Sequence, residues 1–222
     1  MNLRISTTEE RARLSRGTSL CVVYQMVQAA LVNRHPGSGV LLDVGCGRGD
    51  LWQFVAAQFA EFHGVDIVRY DGFPEEAAFH AIDLDTGQVQ LPSEFADVVV
   101  AVETIEHLEN PRAFMRELVR LTKPNGWVVV TTPNQQSFLS KVTMLIFNEF
   151  NAFRAGSYPA HLTALLEVDL LRIANECHLA DPSIRFSGSG RVPGLSVHWP
   201  RILSRTFPRA FSDNILIVAR KR

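Results

Sequence analysis

Three sets of residues have the types and spacing to do chemistry. The first is Gly45-Cys46-Gly47-Arg48-Gly49, directly after the apolar run Val40-Leu41-Leu42-Asp43-Val44. Glycines at the end of a buried strand let the backbone turn tightly and let a ligand approach without meeting a Cβ. The spacing is G-x-G-x-G, not the G-x-G-x-x-G of dinucleotide loops. A carboxylate such as Asp43 repels a neighbouring pyrophosphate but attracts an ammonium or sulfonium group. Contacts to a small cationic ligand are therefore expected from Asp43, Gly45, Cys46 and Gly47. Asp66 lies 21 residues after Gly45 at the end of the next apolar run, followed by Ile67. Its two oxygens suit the two hydroxyls of a ribose. Asp83, followed by Leu84, can accept from an adenine amino group or cap the turn Asp85-Thr86-Gly87.

The second set is Glu103-Thr104-Ile105-Glu106-His107, just after the apolar run that ends at Val102. On a helix, spacing of i, i+3 and i+4 puts Glu103, Glu106 and His107 on one face. Two carboxylates and an imidazole can hold a divalent cation, which would lower the pKa of a bound hydroxyl. The alternatives are a metal-free catalytic His107, or a helix start with acids near its positive end. The third set is His161, in Tyr158-Pro159-Ala160-His161. It is a candidate fourth metal ligand or general base, because histidine titrates near neutrality. The other reading is a loop histidine capping the helix that begins at Thr163.

Elements must bring these sets together. Thr18–Val32 has apolar residues at helical spacing, and 35–39 stops it with Pro36 and glycines. A helix is expected over Asp50–Ala60 with Asp50 as its cap, and others over Pro111–Thr122, Ser137–Phe147 and Thr163–Cys177. Strands are expected at 40–44, 62–67, 78–84, 95–102, 127–131, 182–187 and 214–219. Strands alternating with helices imply an α/β fold with a mostly parallel sheet covered on both faces.

Composition agrees with one folded domain over residues 1–222. The chain is 46% hydrophobic and 20% charged, which gives enough apolar residues for a core. A net charge of −1 argues against nucleic acid as a partner. Cys21, Cys46 and Cys177 do not form a disulfide framework. Met1–Arg16 is polar and lacks the form of a secretory signal, and no apolar run is long enough to span a membrane. A cytoplasmic location is expected. Charge is uneven, however. From Pro182 onward Asp213 is the only acid among eight basic residues, including Arg191, Arg201, Arg205 and Arg209. That fits an anionic acceptor, or a solvated face.

The stretch 40–135 resembles class I S-adenosylmethionine (SAM)-dependent methyltransferases, especially the ubiquinone-biosynthesis type of O-methyltransferase. Asp43-Val-Gly-Cys-Gly-Arg-Gly is similar to their first motif and Val65-Asp66-Ile67 to the second. Phe95-Ala-Asp-Val-Val-Val-Ala-Val-Glu-Thr-Ile-Glu-His-Leu and Leu121-Thr-Lys-Pro-Asn-Gly-Trp match the later ones, with Asn125 where glycine is usual. The resemblance implies a Rossmann-like seven-stranded sheet of order 3-2-1-4-5-7-6, its last strand antiparallel. It implies SAM contacts at Asp43, Gly45, Gly47, Asp66, Ile67, Asp83, Leu84, Val102 and Glu103. The E-x-x-E-H string is similar to a metal motif of some relatives, which would make Glu103, Glu106, His107 and His161 the ligands.

On this reading, 1–38 is a helical cap, 39–135 a SAM-binding core, and 136–162 and 188–208 substrate-side inserts. Phe138, Phe147, Phe150, Phe153 and Tyr158 are candidates to line an acceptor pocket or a local core. The expected activity is methyl transfer to a hydroxyl of a small molecule or a sugar or glycan. The alternatives are a metal-dependent RNA 2′-O-methyltransferase and a non-catalytic SAM-binding partner protein.

Overall fold

The computed structural model describes residues 8–32, 34, 35, 37–86 and 88–222. The expected turn residues Pro36 and Gly87, and the first seven residues of the N-terminal cap, lie outside the described residues. The sheet contains β1 (Val40–Val44), β2 (Glu61–Asp66), β3 (Ala78–Ala81), β4 (Ala96–Ala101), β5 (Thr122–Pro133), β6 (Ala180–Phe186) and β7 (Asn214–Arg220). Their order is β3-β2-β1-β4-β5-β7-β6. The first five pair in parallel, and β7 runs antiparallel to both of its neighbours.

The apolar runs have no polar alternation because both faces of the sheet are covered. Successive side chains point to opposite faces. Leu41, Val98, Val100, Val129 and Val218 pack with α2 (Cys21–Leu31) and α3 (Trp52–Val55). Leu42, Val44, Val99, Ala101, Val130 and Ile217 pack with α4 (Pro111–Leu121) and α6 (Glu167–Glu176). The remaining helices are α1 (Thr8–Ser15), α5 (Phe138–Phe147) and α7 (Arg201–Thr206). Pro111 occupies the first turn of α4, and Asn110 Oδ1 accepts the Ala113 N–H at 3.0 Å.

Several boundaries differ from expectation for local reasons. The helix after the glycine run is short, with α3 followed by a 3₁₀ turn over Ala56–Gln58. Asp50 does not cap it, because its carboxylate accepts the Thr18 hydroxyl at 2.7 Å. Helix α6 starts at Glu167, not Thr163, because 162 and 163 are held elsewhere: both backbone N–H groups donate to the Glu106 carbonyl, and the Thr163 hydroxyl donates to that of Leu108. Strand β5 starts at Thr122, five residues before Trp127. Its register with β4 jumps from Ala96↔Thr122 to Val98↔Trp127, and the looped-out residues include Asn125 at φ 63°. Asparagine tolerates that conformation, so the usual glycine is dispensable. Helix α1 falls in the expected helical cap without a boundary of its own having been read, and α7, inside the insert 188–208, was not legible in the sequence pattern.

Candidate active site

The carboxyl edge of the sheet opens into a cavity of about 390 Å³, within the roughly 300–1,000 Å³ range of small-molecule sites. The loop after β1 forms its floor. Gly45 and Gly47 have φ of 81° and 52°. A Cβ on Gly45 would collide with the Thr104 side chain, and one on Gly47 with the Gly17 carbonyl. The loop is fastened to β2: Gly45 and Cys46 donate to the Val65 carbonyl, and Gly47 N–H donates to Asp66 Oδ2 at 2.9 Å. Asp66 Oδ1 accepts from Val68 N–H at 3.2 Å. Asp66 thus holds the loop as well as facing the cavity.

Asp43 lines the cavity, is 2% exposed, and its Oδ1 has no hydrogen-bond partner. Burial, then repulsion from Asp66, pushes its pKa up to about 8. A buried carboxylate oxygen without a donor is costly unless a cation or a donor arrives. Burial and the two nearby acids push the Cys46 thiol well up, so it is not a thiolate nucleophile.

Glu103 departs from the expected helical face. Its φ is 50°, and only 105–107 form a 3₁₀ turn, so the three residues share no helical stripe. Glu103 Oε2 accepts from Asn214 Nδ2 at 2.8 Å, while Oε1 has no partner. Glu106 is fully buried, and its Oε2 accepts the Thr132 hydroxyl at 3.1 Å. Burial raises both acids, Glu106 to about 8, and Glu106 pushes Glu103 up further. Two such carboxyls hold at most one charge near neutrality.

His107 Nδ1 donates to the Ala160 carbonyl at 2.7 Å, and His161 Nδ1 to that of Ala152 at 2.6 Å. A carbonyl can only accept, so Nδ1 carries the proton and Nε2 keeps its lone pair in both rings. The rings meet edge to face at 4.8 Å. Burial lowers the pKa of both; His161, also facing His107, falls to about 4. Both are therefore neutral bases at pH 7. One ligand atom each from Glu106, His107 and His161 lies within 4.8 Å of the others. Glu103 does not join this group; Asn214 holds its carboxylate instead.

The cavity brings together Asp43, Gly45, Cys46, Gly47, Asp66, Ile67, Leu84, Val102, Glu103, Glu106, His107 and His161. Asp83 is absent from the lining. Its Oδ1 accepts from Asp85 N–H at 3.0 Å, so it caps the turn, and Ile82 and Leu84 take the wall position. The inserts also depart from expectation. Only His161 of 136–162 reaches the cavity, and none of 188–208 does. Phe138 packs on Trp199 and Phe211, Phe153 lies on His161, and Tyr158 is exposed.

The opposite wall is the N-terminal cap, whose individual residues the sequence did not single out. Thr8, Arg11, Ala12, Ser15, Gly17 and Thr18 close the cavity from the N-terminal side. Arg11 pairs with Asp85 at 2.6 Å with both side chains buried, Tyr70 donates to the Ala12 carbonyl, and Arg48 N–H donates to that of Gly17.

This arrangement is matched elsewhere. A family model described as "Methyltransferase domain" matches residues 22–180. The chain belongs to the class I SAM-dependent methyltransferase family. It is 33% identical over 110 residues to the ubiquinone biosynthesis O-methyltransferase of Bordetella bronchiseptica, covering 45% of each chain. It is 30% identical over 175 residues to a Mycolicibacterium smegmatis protein described as an S-adenosylmethionine-dependent methyltransferase, covering 75% of this chain and 66% of that one. The chain thus spans less than half the length of the first relative. Among solved structures, a SAM-dependent methyltransferase from Archaeoglobus fulgidus shares the fold at a TM-score of 0.62 and 21% identity, covering 89% of this chain and 94% of that one. A Burkholderia thailandensis 1,6-didemethyltoxoflavin-N1-methyltransferase, solved with bound S-adenosylhomocysteine, has a TM-score of 0.60 at 17% identity, covering 100% of this chain and 93% of that one.

Proposed function

We propose that the protein transfers the methyl group of SAM to a hydroxyl of a small-molecule or sugar acceptor. The observation that carries this reading is the buried, partnerless Asp43 oxygen beside the glycine loop. It fits a cofactor whose amino-acid end bears an ammonium group next to a sulfonium. SAM supplies an already activated methyl group, so the protein's work is to position, desolvate and take up a proton. Gly45 and Gly47 let the loop pack against Thr104 and Gly17 so that its backbone lines the ligand space, and Asp66 and Leu84 border the nucleoside end. His107 Nε2 is the proposed proton acceptor for the acceptor hydroxyl, with its ring oriented by the Ala160 carbonyl. Burial keeps His107 neutral, and His161, edge-on to its ring, borders the acceptor space.

A second reading is favoured by the grouping of Glu106, His107 and His161. Two imidazoles and a carboxylate suit a borderline divalent cation, which would acidify the acceptor hydroxyl. A SAM-consumption assay over a panel of hydroxyl acceptors, with and without EDTA, separates the readings. Turnover unchanged by EDTA leaves His107 as the base. Turnover abolished by EDTA and restored by added cation assigns the metal. No turnover with any hydroxyl acceptor, despite SAM binding, contradicts O-methylation.

A further inference from the structure

Two helices outside the cavity bury hydroxyl groups and expose hydrocarbon. The fully buried positions of α5 are Ser140 and Thr143, while Leu145 is 86% exposed and Phe138, Ile146 and Phe147 also face outward. In α7 the buried residue is Ser204, while Ile202 is 72% exposed and Phe207 follows it on the surface. Phe138, the half-buried Val142, Leu145 and Ile146 stand at i, i+4, i+7 and i+8, which puts them on one side of the helix. A helix normally turns such a stripe inward; here the protein takes the polar side.

The N-terminal end of α5 meets the residues on either side of α7. Phe138 N–H donates to the Ala210 carbonyl at 2.7 Å, and the Phe138 ring meets Trp199 edge-on at 5.7 Å. Leu195 and Val197, in the segment just before Trp199, are also exposed. Single exposed apolar side chains need no explanation, but a contiguous set marks a binding face.

Its charges indicate what binds. Lys141, Arg201 and Arg205 are exposed and have no acidic partner among the described residues, and Arg154 lies over the Phe147 ring at 4.4 Å. Glu149 is the only acid in 136–162, and there is none in 182–208. Asp213 and Glu167 are taken by Arg191 and Arg209. Aliphatic and aromatic side chains among free cations form the pattern of an interfacial segment on anionic lipid. A second copy of this chain in a two-fold contact would set cation against cation.

We propose that α5 and the segment 191–207 dock this protein on a membrane surface carrying anionic lipid. This goes beyond the methyl-transfer reading and does not depend on it. The test is co-sedimentation of the full chain with vesicles of phosphatidylglycerol and phosphatidylcholine, against phosphatidylcholine alone. The protein should be retained on the anionic vesicles, released by 0.5 M salt, and weakly held by the neutral ones. Two double variants, Leu145→Ser with Ile146→Ser and Arg201→Gln with Arg205→Gln, should each reduce partitioning about tenfold or more, with melting temperature and SAM binding unchanged. Absence of wild-type retention, or equal retention on both vesicle types, would overturn the proposal. So would a dimer in sedimentation velocity that the Leu145→Ser, Ile146→Ser variant dissolves.

Discussion

The cavity and the outer face of α5 break the usual rule of burial in opposite directions. In the cavity, Asp43, Glu103 and Glu106 are carboxylates removed from water with oxygens left unpaired. On α5, Leu145 and Ile146 lie in water while Ser140 and Thr143 are covered. Each arrangement is unfavourable for the protein alone, and each becomes favourable when a particular kind of molecule arrives. The cavity suits a cation that also brings hydrogen-bond donors; the outer face suits an apolar phase with negative charge at its rim. The difference teaches that the sign of the departure tells the chemistry of the missing partner.

The comparison breaks first if the cavity residues are merely structural. His107→Ala should lower methyl transfer by roughly 10²- to 10⁴-fold while SAM affinity stays within a few-fold, as read from separate rate and binding measurements. A parallel collapse of SAM binding would make His107 a structural residue. The next effect sharpens the contrast between true core and outer face. Leu118→Ala, at a fully buried position of α4, should cost about 2–5 kcal/mol in denaturant unfolding. Leu145→Ala, the same truncation on α5, should change stability by no more than about 0.5 kcal/mol without vesicles. A large loss at Leu145 would mean that its side chain packs in the core.

Acid in the cavity gives a smaller, pH-dependent signature. Asp43 is held near pKa 8 in the folded chain against an ordinary value of 3.8. Its protonated form therefore favours folding at low pH, and that contribution is lost as pH rises from about 4 to 8. The melting temperature of the ligand-free protein should fall across that window through this residue. Asp43→Asn should flatten the decline, and saturating SAM should offset it. An identical decline in the variant would show that Asp43 does not titrate there.

The parts of the site that were legible in the sequence are local. Asp43, the glycines and Asp66 sit at or beside the end of a strand, while the order of the strands in the sheet was implied by the family resemblance and not by the alternation of apolar runs. Glu103 was misplaced because a positive φ at a glutamate leaves no mark in spacing, and its partner Asn214 is 111 residues away. Arg11 was missed for the same reason, since Asp85 lies 74 residues along the chain. Asp83 was ambiguous because a turn cap and a ligand contact call for the same residue. For α5 the pattern gave the helix but not which of its sides the protein would cover. That choice is made by tertiary packing: Ser137 caps the helix, and Ser140 bonds to Gln135 and Asn151.

The most direct test is calorimetric titration of SAM into the wild-type chain and into Asp43→Asn at pH 6 and pH 8. Wild type should bind with one site, more tightly at pH 8, releasing a proton to buffer at pH 6. Asp43→Asn should bind at least about tenfold more weakly at pH 8 and lose the pH dependence. No heat with SAM or S-adenosylhomocysteine, or equal affinity of both chains at both pH values, would contradict a cationic methyl donor held at Asp43.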